Sequence, residues 1–262
     1  MAAVNHCLIL AAGFGSRIAS LSGGLPKPLV PLRGMPLLEH VMMSSQEAGI
    51  SEFVIVVGHR AEVIRQWFTN DFTRPWLATR APGGISVTWI ENLKHDKANG
   101  ISALTAKEEL RNPFLLLMAD HIFEPRIARA LLQQPLADDE VILAVDYKVD
   151  CVFDLQDATK VRIEENHIVD IGKNLGRYDA LDTGMFLCSP ALFHKLESAK
   201  KNGDCSLSDG MRQLAREQKL KAFDIGDAHW QDVDSPEALA HAEDIFDREF
   251  CENPVAERLA SV

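Results

Sequence analysis

Two glycines, an arginine and a lysine near the start of the chain have types and spacing that suit the binding of a polyphosphate. Gly13 and Gly15 follow a short apolar run, and glycines at such a turn let the backbone amides approach a bulky anion. Arg17 adds a planar fork of donors that suits phosphate oxygens. Lys27 lies between two prolines, whose fixed φ angles hold it on a stiff, extended segment. Together these residues predict a clamp for a polyphosphate.

Two common phosphate-binding motifs are excluded at this turn. A dinucleotide-binding G-x-G-x-x-G turn needs Gly or Ala at its third position for close helix packing, and here that residue is Ile18. No G-x-x-x-x-G-K-[ST] sequence follows, which excludes a Walker loop. A glycine-rich turn without a ligand is the alternative, and the nearby Arg17 and Lys27 favour anion binding over it.

A carboxylate after a second apolar run is a candidate ligand for a divalent metal ion. Residues 114–119 are uniformly apolar, which is typical of a buried strand, so Asp120 lies at the carboxyl end of that strand. Open α/β sheets bind their ligands at this edge, and Mg²⁺ is typically held by one or two carboxylates together with substrate phosphates. Capping of the helix predicted over residues 124–132 is an equally good role for Asp120 from the residues alone.

Other acidic residues are also candidate site residues that have ordinary structural roles as alternatives. Asp232 and Asp234 precede a predicted helix that Ser235 would cap, and acidic residues at that place also favour the positive helix end. Asp182-Thr183-Gly184 is the catalytic triplet of aspartic proteases, but a dyad needs a second Asp-[Thr/Ser]-Gly, and the sequence has none. A protease of that class is therefore excluded.

The first stretch resembles the signature of the sugar-nucleotide nucleotidyltransferases, LAAGxGxRxxPLTxxxPKPL, and here it is LAAGFGSRIASLSGGLPKPL. Ser16 stands where threonine is frequent, and Ala19 and Ser20 stand where a proline often falls. The similarity to the inositol-1-phosphate cytidylyltransferase branch continues through MADH, ATKVRIEENHIVDIGK, DTGMF and WQDVDS. It implies a Mg²⁺-dependent reaction in which the phosphate of inositol 1-phosphate attacks the α-phosphorus of CTP and expels pyrophosphate.

The resemblance also implies which residues bind CTP and the metal ion. Arg17 and Lys27 would hold the triphosphate, and Asp120 with Asp232 or Asp234 would hold Mg²⁺. The expected CTP contacts are Leu10, Ala11, Ala12, Gly13, Gly15, Ser16, Arg17, Lys27, Asn99, Gly100 and Ser102. From the residues alone, Asn99 and Ser102 are ordinary helix caps.

For the acceptor, the resemblance implies a β-hairpin that covers the site. Lys173, just after the second strand of the hairpin, would bind the acceptor phosphate, and Lys160 could share that role, although a lysine on an exposed strand is common without one. Asp182 and Thr183 would lie near the acceptor, with Asp182 accepting hydrogen bonds from its hydroxyl groups; a plain turn residue is the alternative. The expected catalytic set is Arg17, Lys27, Asp120 and Lys173.

Two other functions stay open at this point. The acceptor could be phosphocholine, an aminoalkyl phosphonate or a sugar 1-phosphate, although two tyrosines and four tryptophans make an aromatic cage for choline a weaker expectation. The chain could also be a non-catalytic regulatory subunit that binds nucleotide. Such proteins typically lose the signature arginine, lysine or metal-binding aspartate, and all three are present here.

The elements that must position these residues alternate between strand and helix. Apolar runs predict strands at 7–12, 53–57, 86–90, 114–119 and 140–147, with helices at 37–48, 61–68 and 101–110 between them. We therefore expect an α/β fold with a doubly wound, mostly parallel, Rossmann-like sheet. Residues 1–248 would form a single domain, with the hairpin insertion at about 150–180 and a C-terminal tail at 249–262.

The composition of the chain indicates which classes of partner to expect and in which cellular compartment the protein is expected. The net charge of −11 over 262 residues argues against a nucleic-acid partner. No apolar run reaches the length of a membrane span, and the five scattered cysteines lack C-x-x-C spacing, so we expect reduced thiols and a cytoplasmic location. Some relatives carry a membrane-embedded CDP-alcohol phosphatidyltransferase after this domain; we expect that partner as a separate polypeptide. The sequence predicts no oligomeric state.

Overall fold

A computed structural model describes residues 4–18, 23–69, 84–151 and 154–250 of the chain. The tail predicted at 249–262 lies outside these ranges beyond residue 250, and so do Ala19 and Ser20 of the signature stretch. None of the described helices combines the length and the apolar character that crossing a bilayer requires.

The described strands and helices alternate along the chain in the way that the apolar runs predict. The strands are β1 His6–Ala11, β2 Pro31–Leu32, β3 Met35–Pro36, β4 Glu52–Val57, β5 Ser86–Glu91, β6 Phe114–Met118, β7 His121–Phe123, β8 Val141–Asp146, β9 Lys160–Glu164, β10 His167–Gly172, β11 Ala180–Cys188, β12 Leu220–Asp224 and β13 Trp230–Asp232. The α-helices are α1 Leu37–Glu47, α2 Ala61–Thr69, α3 Asn99–Thr105, α4 Pro125–Leu131, α5 Ala191–Ala199, α6 Leu207–Arg216 and α7 Pro236–Phe250.

One large sheet carries the fold. Its nine described strands have the order β5-β4-β1-β6-β11-β8-β12-β10-β9. The expectation of parallel pairing holds for β5, β4, β1 and β6, and again for β8 with β12. The sheet is mixed because β11 runs antiparallel between β6 and β8, and because the hairpin strands add antiparallel pairs at one edge.

Helices cover both faces of this sheet, so the doubly wound α/β fold is confirmed. On one face the apolar side of α1, α2 and α4 packs on β1, β4 and β6. On the other face α3, α5 and α6 pack on the same sheet, where the rings of Phe114 and Phe193 stack with centroids 5.4 Å apart. Because alternate side chains of a strand point to opposite faces, uniformly apolar strands fit a sheet that is buried on both sides.

The predicted hairpin is present as β9 and β10. Its two turn residues, Glu165 and Asn166, both have positive φ angles of 47° and 68°. This geometry matches the right-handed twist of the two strands, which is why a two-residue turn suffices. Lys173 directly follows β10.

Three elements differ from their predictions. Lys27, expected on an extended segment, is the first residue of a short 3-10 helix, Lys27–Leu29. The helix expected over residues 101–110 is α3, which ends at Thr105; the residues after it form tighter backbone bonds, such as Ala106 N to Ala103 O and Glu109 N to Ala106 O. After Asp120 the chain forms the short strand β7 before α4 begins, so Asp120 does not cap that helix.

Candidate active site

A cavity of about 470 Å³ opens at the carboxyl edge of the sheet, where β1, β6 and β8 end. Many of the predicted site residues line it: Leu10, Ala12, Gly13, Arg17, Lys27, Asn99, Ser102, Asp120, Lys173, Asp182, Asp232 and Asp234. An adjoining cavity of about 270 Å³ is lined by Ala11, Gly15 and Ser16 as well. The structure therefore brings most of the predicted set to one place.

The glycine turn and the lysine of the first stretch are packed against each other. Gly15 has a φ angle of +63°, and a Cβ at that position would lie 2.5 Å from the Cβ of Lys27. Only glycine combines this backbone conformation with so close an approach. The spacing between the glycines and the lysine is thus a packing requirement, which is the reason the motif extends over so many residues.

Lys27 is held among carboxylates. Its Nζ lies 2.5 Å from Oδ2 of Asp120 and 3.8 Å from Oδ1 of Asp232, and its side chain is 12% exposed. Burial alone would lower the pKa of Lys27, but Asp120 and Asp232 outweigh this effect and raise the pKa above its ordinary value. The ammonium group therefore stays charged at the centre of the cavity.

Arg17 and Lys173 share one carboxylate that the sequence analysis did not find. Arg17 donates to Oδ2 of Asp157 at 2.5 Å and also pairs with Asp234. Lys173 Nζ lies 2.5 Å from the other oxygen of Asp157. The hydrogen bond from Lys173 is the main reason that the pKa of Asp157 is lowered. Asp157 lies in the irregular segment before β9, where nothing in the sequence distinguishes it from other loop aspartates.

Asp120, His121 and Asp232 form the group of possible metal ligands among the described residues. One ligand atom from each lies within 4.8 Å of the others. His121 Nε2 is 3.8 Å from Oδ1 of Asp120 and 3.6 Å from Oδ2 of Asp232. Burial lowers the pKa of His121, yet Asp232 and Asp120 raise it to about 9. Burial likewise raises the pKa of Asp232, but His121 and the nearby cations bring it down to about 2.

A small sheet brings these residues together. β13 pairs antiparallel with β7, which sets Asp232 opposite His121, and Val233 N bonds the carbonyl oxygen of Asp120 at 2.9 Å. Asp234 then turns toward Arg17 just before α7, where the Ser235 side chain caps the helix as predicted by accepting from Ala238 N. Burial and the nearby Asp232 raise the pKa of Asp234.

The structure gives Lys160 and Thr183 other partners than the predicted acceptor. Lys160 is buried, and its Nζ donates to the carbonyl oxygens of residues 155, 158 and 173 at 2.7, 3.0 and 3.1 Å, which uses all three of its hydrogens. Thr183 is fully buried, and its hydroxyl donates to Ala144 O at 2.8 Å within the sheet. Neither side chain lines the described cavities. Both residues support the walls of the site.

Asp182, the neighbour of Thr183, does line the cavity. Its Oδ1 accepts a hydrogen bond from Gly184 N at 2.7 Å. Burial raises the pKa of Asp182 to about 6, and this hydrogen bond offsets only part of the effect.

The predicted CTP contacts Asn99, Gly100 and Ser102 lie where α3 meets α6. Asn99 Oδ1 accepts from Leu207 N at 2.8 Å, and Ser102 Oγ accepts from the Asn92 amide at 3.0 Å. A Cβ on Gly100 would lie 2.6 Å from Cys205 O, so the two segments pack without side chains between them. Gly100 is covered by this packing, whereas Asn99 and Ser102 face the cavity.

Asp146 is a further buried carboxylate that the sequence analysis missed. It accepts from Trp230 Nε1 at 2.9 Å and from Lys148 Nζ at 2.7 Å, and all three residues line the cavity. Asp146 ends β8 in the way that Asp120 follows β6. The same argument from a strand end could therefore have found it.

Comparisons with known proteins agree on one family. The profile of the MobA-like NTP transferase domain matches residues 7–221. A "Bifunctional IPC transferase and DIPP synthase" of Rubrobacter xylanophilus is 36% identical over 90% of this chain and 51% of its own length. The protein of the same name from Aquifex aeolicus is 31% identical over 91% of this chain and 51% of its own length. The chain thus spans about half the length of the curated relatives that it matches.

A solved structure extends the similarity to three dimensions. The inositol-1-phosphate CTP transferase from T. maritima superposes with a TM-score of 0.80 at 27% identity, covering 93% of this chain and 95% of that one. The fold is thus shared with that enzyme over almost the whole of both chains.

Proposed function

The chain belongs to the family of MobA-like NTP transferase domains, and on that premise we propose that it transfers the cytidylyl group of CTP to inositol 1-phosphate. The names of its relatives support this choice of substrates, since they specify an IPC transferase and an inositol-1-phosphate CTP transferase. One observation in the molecule carries the proposal. Cations suited to two different phosphate groups, Lys27 with Arg17 and then Lys173, face one cavity around a group of carboxylates.

In the proposed reaction an oxygen of the acceptor phosphate attacks the α-phosphorus of CTP. The new bond joins that oxygen to phosphorus, and the bond to the β-phosphate oxygen breaks, so that pyrophosphate leaves. A phosphate monoester is largely dianionic at neutral pH, so the nucleophile needs no general base. The protein has to bring two polyanions together and offset the charge that develops.

Arg17 and Lys27 are proposed to bind the triphosphate, and Lys173 the acceptor phosphate. In the structure, Arg17 and Lys173 are paired with Asp157, and Lys27 with Asp120. Incoming phosphates would replace these carboxylates as partners of the cations. Asp182 faces the same cavity and is proposed to accept hydrogen bonds from the acceptor's hydroxyl groups.

A divalent metal ion fits the carboxylates of the site. Oδ1 of Asp232 is buried and has no hydrogen-bond partner among the described residues, apart from the ion pair with Lys27 at 3.8 Å, so this carboxylate has a capacity for further contacts that a metal ion would use. We propose that Asp120 with Asp232 binds Mg²⁺, with Asp234 held by Arg17 beside them. When bound, Mg²⁺ would neutralise charge on the phosphates.

The proposal is tested by pyrophosphate release from CTP in the presence of Mg²⁺, with and without inositol 1-phosphate. Release that requires both substrates supports it. If turnover instead requires phosphocholine, an aminoalkyl phosphonate or a sugar 1-phosphate, the proposed type of reaction stands and the proposed acceptor is wrong. If folded protein binds CTP but releases no pyrophosphate with any acceptor, a regulatory role would be favoured.

Asp120→Asn is the matched variant for this assay. It keeps the size of the side chain but removes the charge that a metal ion needs, so we expect turnover to fall by about a thousandfold or more. Circular dichroism should show an unchanged fold. Undiminished turnover would rule out Asp120 as a metal ligand.

A further inference from the structure

We infer that His121 is a nitrogen ligand of the divalent metal ion held by Asp120 and Asp232, so that the centre has mixed oxygen and nitrogen donors. The inference deepens the proposed function and rests on it for the presence of the metal. It adds a third ligand to the aspartates that the resemblance implies, and it has a consequence for which metal ion binds best.

The orientation of the imidazole is fixed from its far side. His121 Nδ1 lies 2.8 Å from the carbonyl oxygen of Thr183. A carbonyl oxygen can only accept, so Nδ1 carries the hydrogen, and Nε2 of a neutral ring carries a lone pair. Metal-binding histidines are typically held in this way, by a bond from the ring nitrogen that does not bind the ion.

Nε2, where a bound metal ion would take the place of the proton, lies near two carboxylates. The distances to Oδ1 of Asp120 and Oδ2 of Asp232, 3.8 and 3.6 Å, are longer than hydrogen bonds. Atoms that bind one ion at about 2.1 Å each lie about 3 to 3.5 Å from their neighbours in the coordination shell. The three atoms, all within 4.8 Å of one another, are set slightly wider than such a shell, and they would have to close by a few tenths of an ångström around an ion; the other oxygen of Asp120, Oδ2, is paired with Lys27.

The backbone around the His121 ring adopts unusual conformations that leave space for it. Gly184 has a φ angle of +74°, and any Cβ there would overlap the imidazole of His121. The pairing of β11 with β8 also shifts its register between Asp182 and Phe186, beside this point. An irregular strand and a glycine with positive φ are together needed to seat one histidine, which indicates a role beyond filling space.

The donor set affects the choice of metal. Carboxylate oxygens suit Mg²⁺ and Mn²⁺, whereas an imidazole nitrogen suits Zn²⁺ or Ni²⁺ better. Loss of His121 should therefore weaken Zn²⁺ binding by roughly tenfold or more. Binding of Mg²⁺, which depends mainly on the carboxylates, should change less.

Electron spin echo spectroscopy of the Mn²⁺-loaded 262-residue chain tests the inference directly. Spectra would be recorded with Mn²⁺ alone and with added pyrophosphate, which contains no nitrogen. We expect modulation from a directly bound ¹⁴N, which changes to the ¹⁵N pattern when the protein is labelled with ¹⁵N-histidine. His121→Gln should lose the modulation, and the control His167→Gln, in the β9–β10 hairpin, should retain it.

The labelling experiment uses the wild-type chain, so the test survives if His121→Gln does not fold. Absence of nitrogen modulation, its persistence in folded His121→Gln, or failure of Mn²⁺ to bind in either state would overturn the inference. The pyrophosphate-release assay separates the two proposals. Turnover without nitrogen coupling would leave the proposed function standing, and nitrogen coupling without turnover would leave His121 as a ligand in a protein of another activity.

Discussion

Asp157 connects the two basic residues that are proposed to bind different phosphates. It accepts from Arg17 through one oxygen and from Lys173 through the other. Both basic side chains are about half exposed, 55% for Arg17 and 53% for Lys173, so solvent screens these ion pairs and each is worth only about 0.2 to 1 kcal/mol. Such pairs are weak enough for a phosphate to replace them. Asp157 therefore competes with the substrates for the same cations.

Asp157→Asn should strengthen nucleotide binding. Removing a competing charge worth up to about 1 kcal/mol lowers the KM for CTP by up to about fivefold. Steady-state kinetics with varied CTP would measure the change. Asp170→Asn in β10 removes the same charge without touching either cation and should leave the KM unaltered. A higher KM for CTP in Asp157→Asn would mean that Asp157 positions Arg17 for binding.

Asp182 should make the folded protein less stable as the pH rises. Its pKa is about 6 in the fold against an ordinary value of 3.8, so the folded state binds the proton more tightly than the unfolded chain. The protonated group contributes its full stability below about pH 4, and that contribution is lost as the pH rises to about 6. Above that pH the buried charge costs up to about 3 kcal/mol.

Asp182→Asn tests this assignment. The amide oxygen of the new side chain can still accept the hydrogen bond from Gly184 N, and the substitution removes the buried charge. The variant should therefore melt at a higher temperature than the wild type at pH 7.5. The two melting temperatures should converge near pH 4. A variant that is less stable at both pH values would show that the carboxylate is well solvated or paired in the fold.

At the scale of the elements, the long strands were predictable and the short ones were not. Uniformly apolar runs mark β1, β4, β6 and β8 because both faces of the sheet are buried. β7 has three residues and no pattern of its own; it is a strand only because β13, far along the chain, pairs with it. Since that pairing sets His121 opposite Asp232, this part of the site could not be predicted from local sequence.

The acceptor-side predictions differ from the structure for a related reason. Side chains alternate along β11, so Asp182 lines the cavity while Thr183 bonds Ala144 O inside the sheet. That difference follows from the period of a strand and was open to prediction. The three carbonyl partners of Lys160 were not, because they come from loop residues before β9 and after β10 that meet only in the folded chain.

Gly184→Ala is the test of how β11 seats the imidazole. The substitution combines a strained positive φ with overlap of His121, so we expect the free energy of unfolding to fall by about 2 to 4 kcal/mol. Gly34→Ala separates the two effects, because Gly34 has a φ angle of +81° with open space around it. That control should lose only about 1 kcal/mol. Denaturant unfolding of both variants measures the difference. An equal loss of unfolding free energy in the two variants would mean that the His121 ring can move aside without a large cost in stability.

Over the whole molecule, the protein must bind polyanions although its net charge is −11. The basic groups that line the cavity do not form a positive surface by themselves. Arg17, Lys27 and Lys173 are each paired with a carboxylate there. The cavity as a whole is lined by four Lys and Arg residues and by seven Asp residues. A nucleoside triphosphate that approaches it therefore meets an excess of negative charge, and a divalent cation has to supply the positive charge.

Binding of CTP should for this reason depend on the metal ion and be visible as a change in global stability. A ligand at a hundred times its Kd stabilises the folded state by about 2.7 kcal/mol, which for a domain of this size raises the melting temperature by about 5 to 10 °C. We expect that shift with CTP and Mg²⁺ together, and little of it with CTP in EDTA. UTP with Mg²⁺ reports on the base preference, and Asp120→Asn should abolish the shift with either nucleotide. An equal shift in EDTA would mean that Arg17 and Lys27 bind the triphosphate in spite of the nearby carboxylates. The negative charge of the cavity would then not be the reason that the site depends on a metal ion.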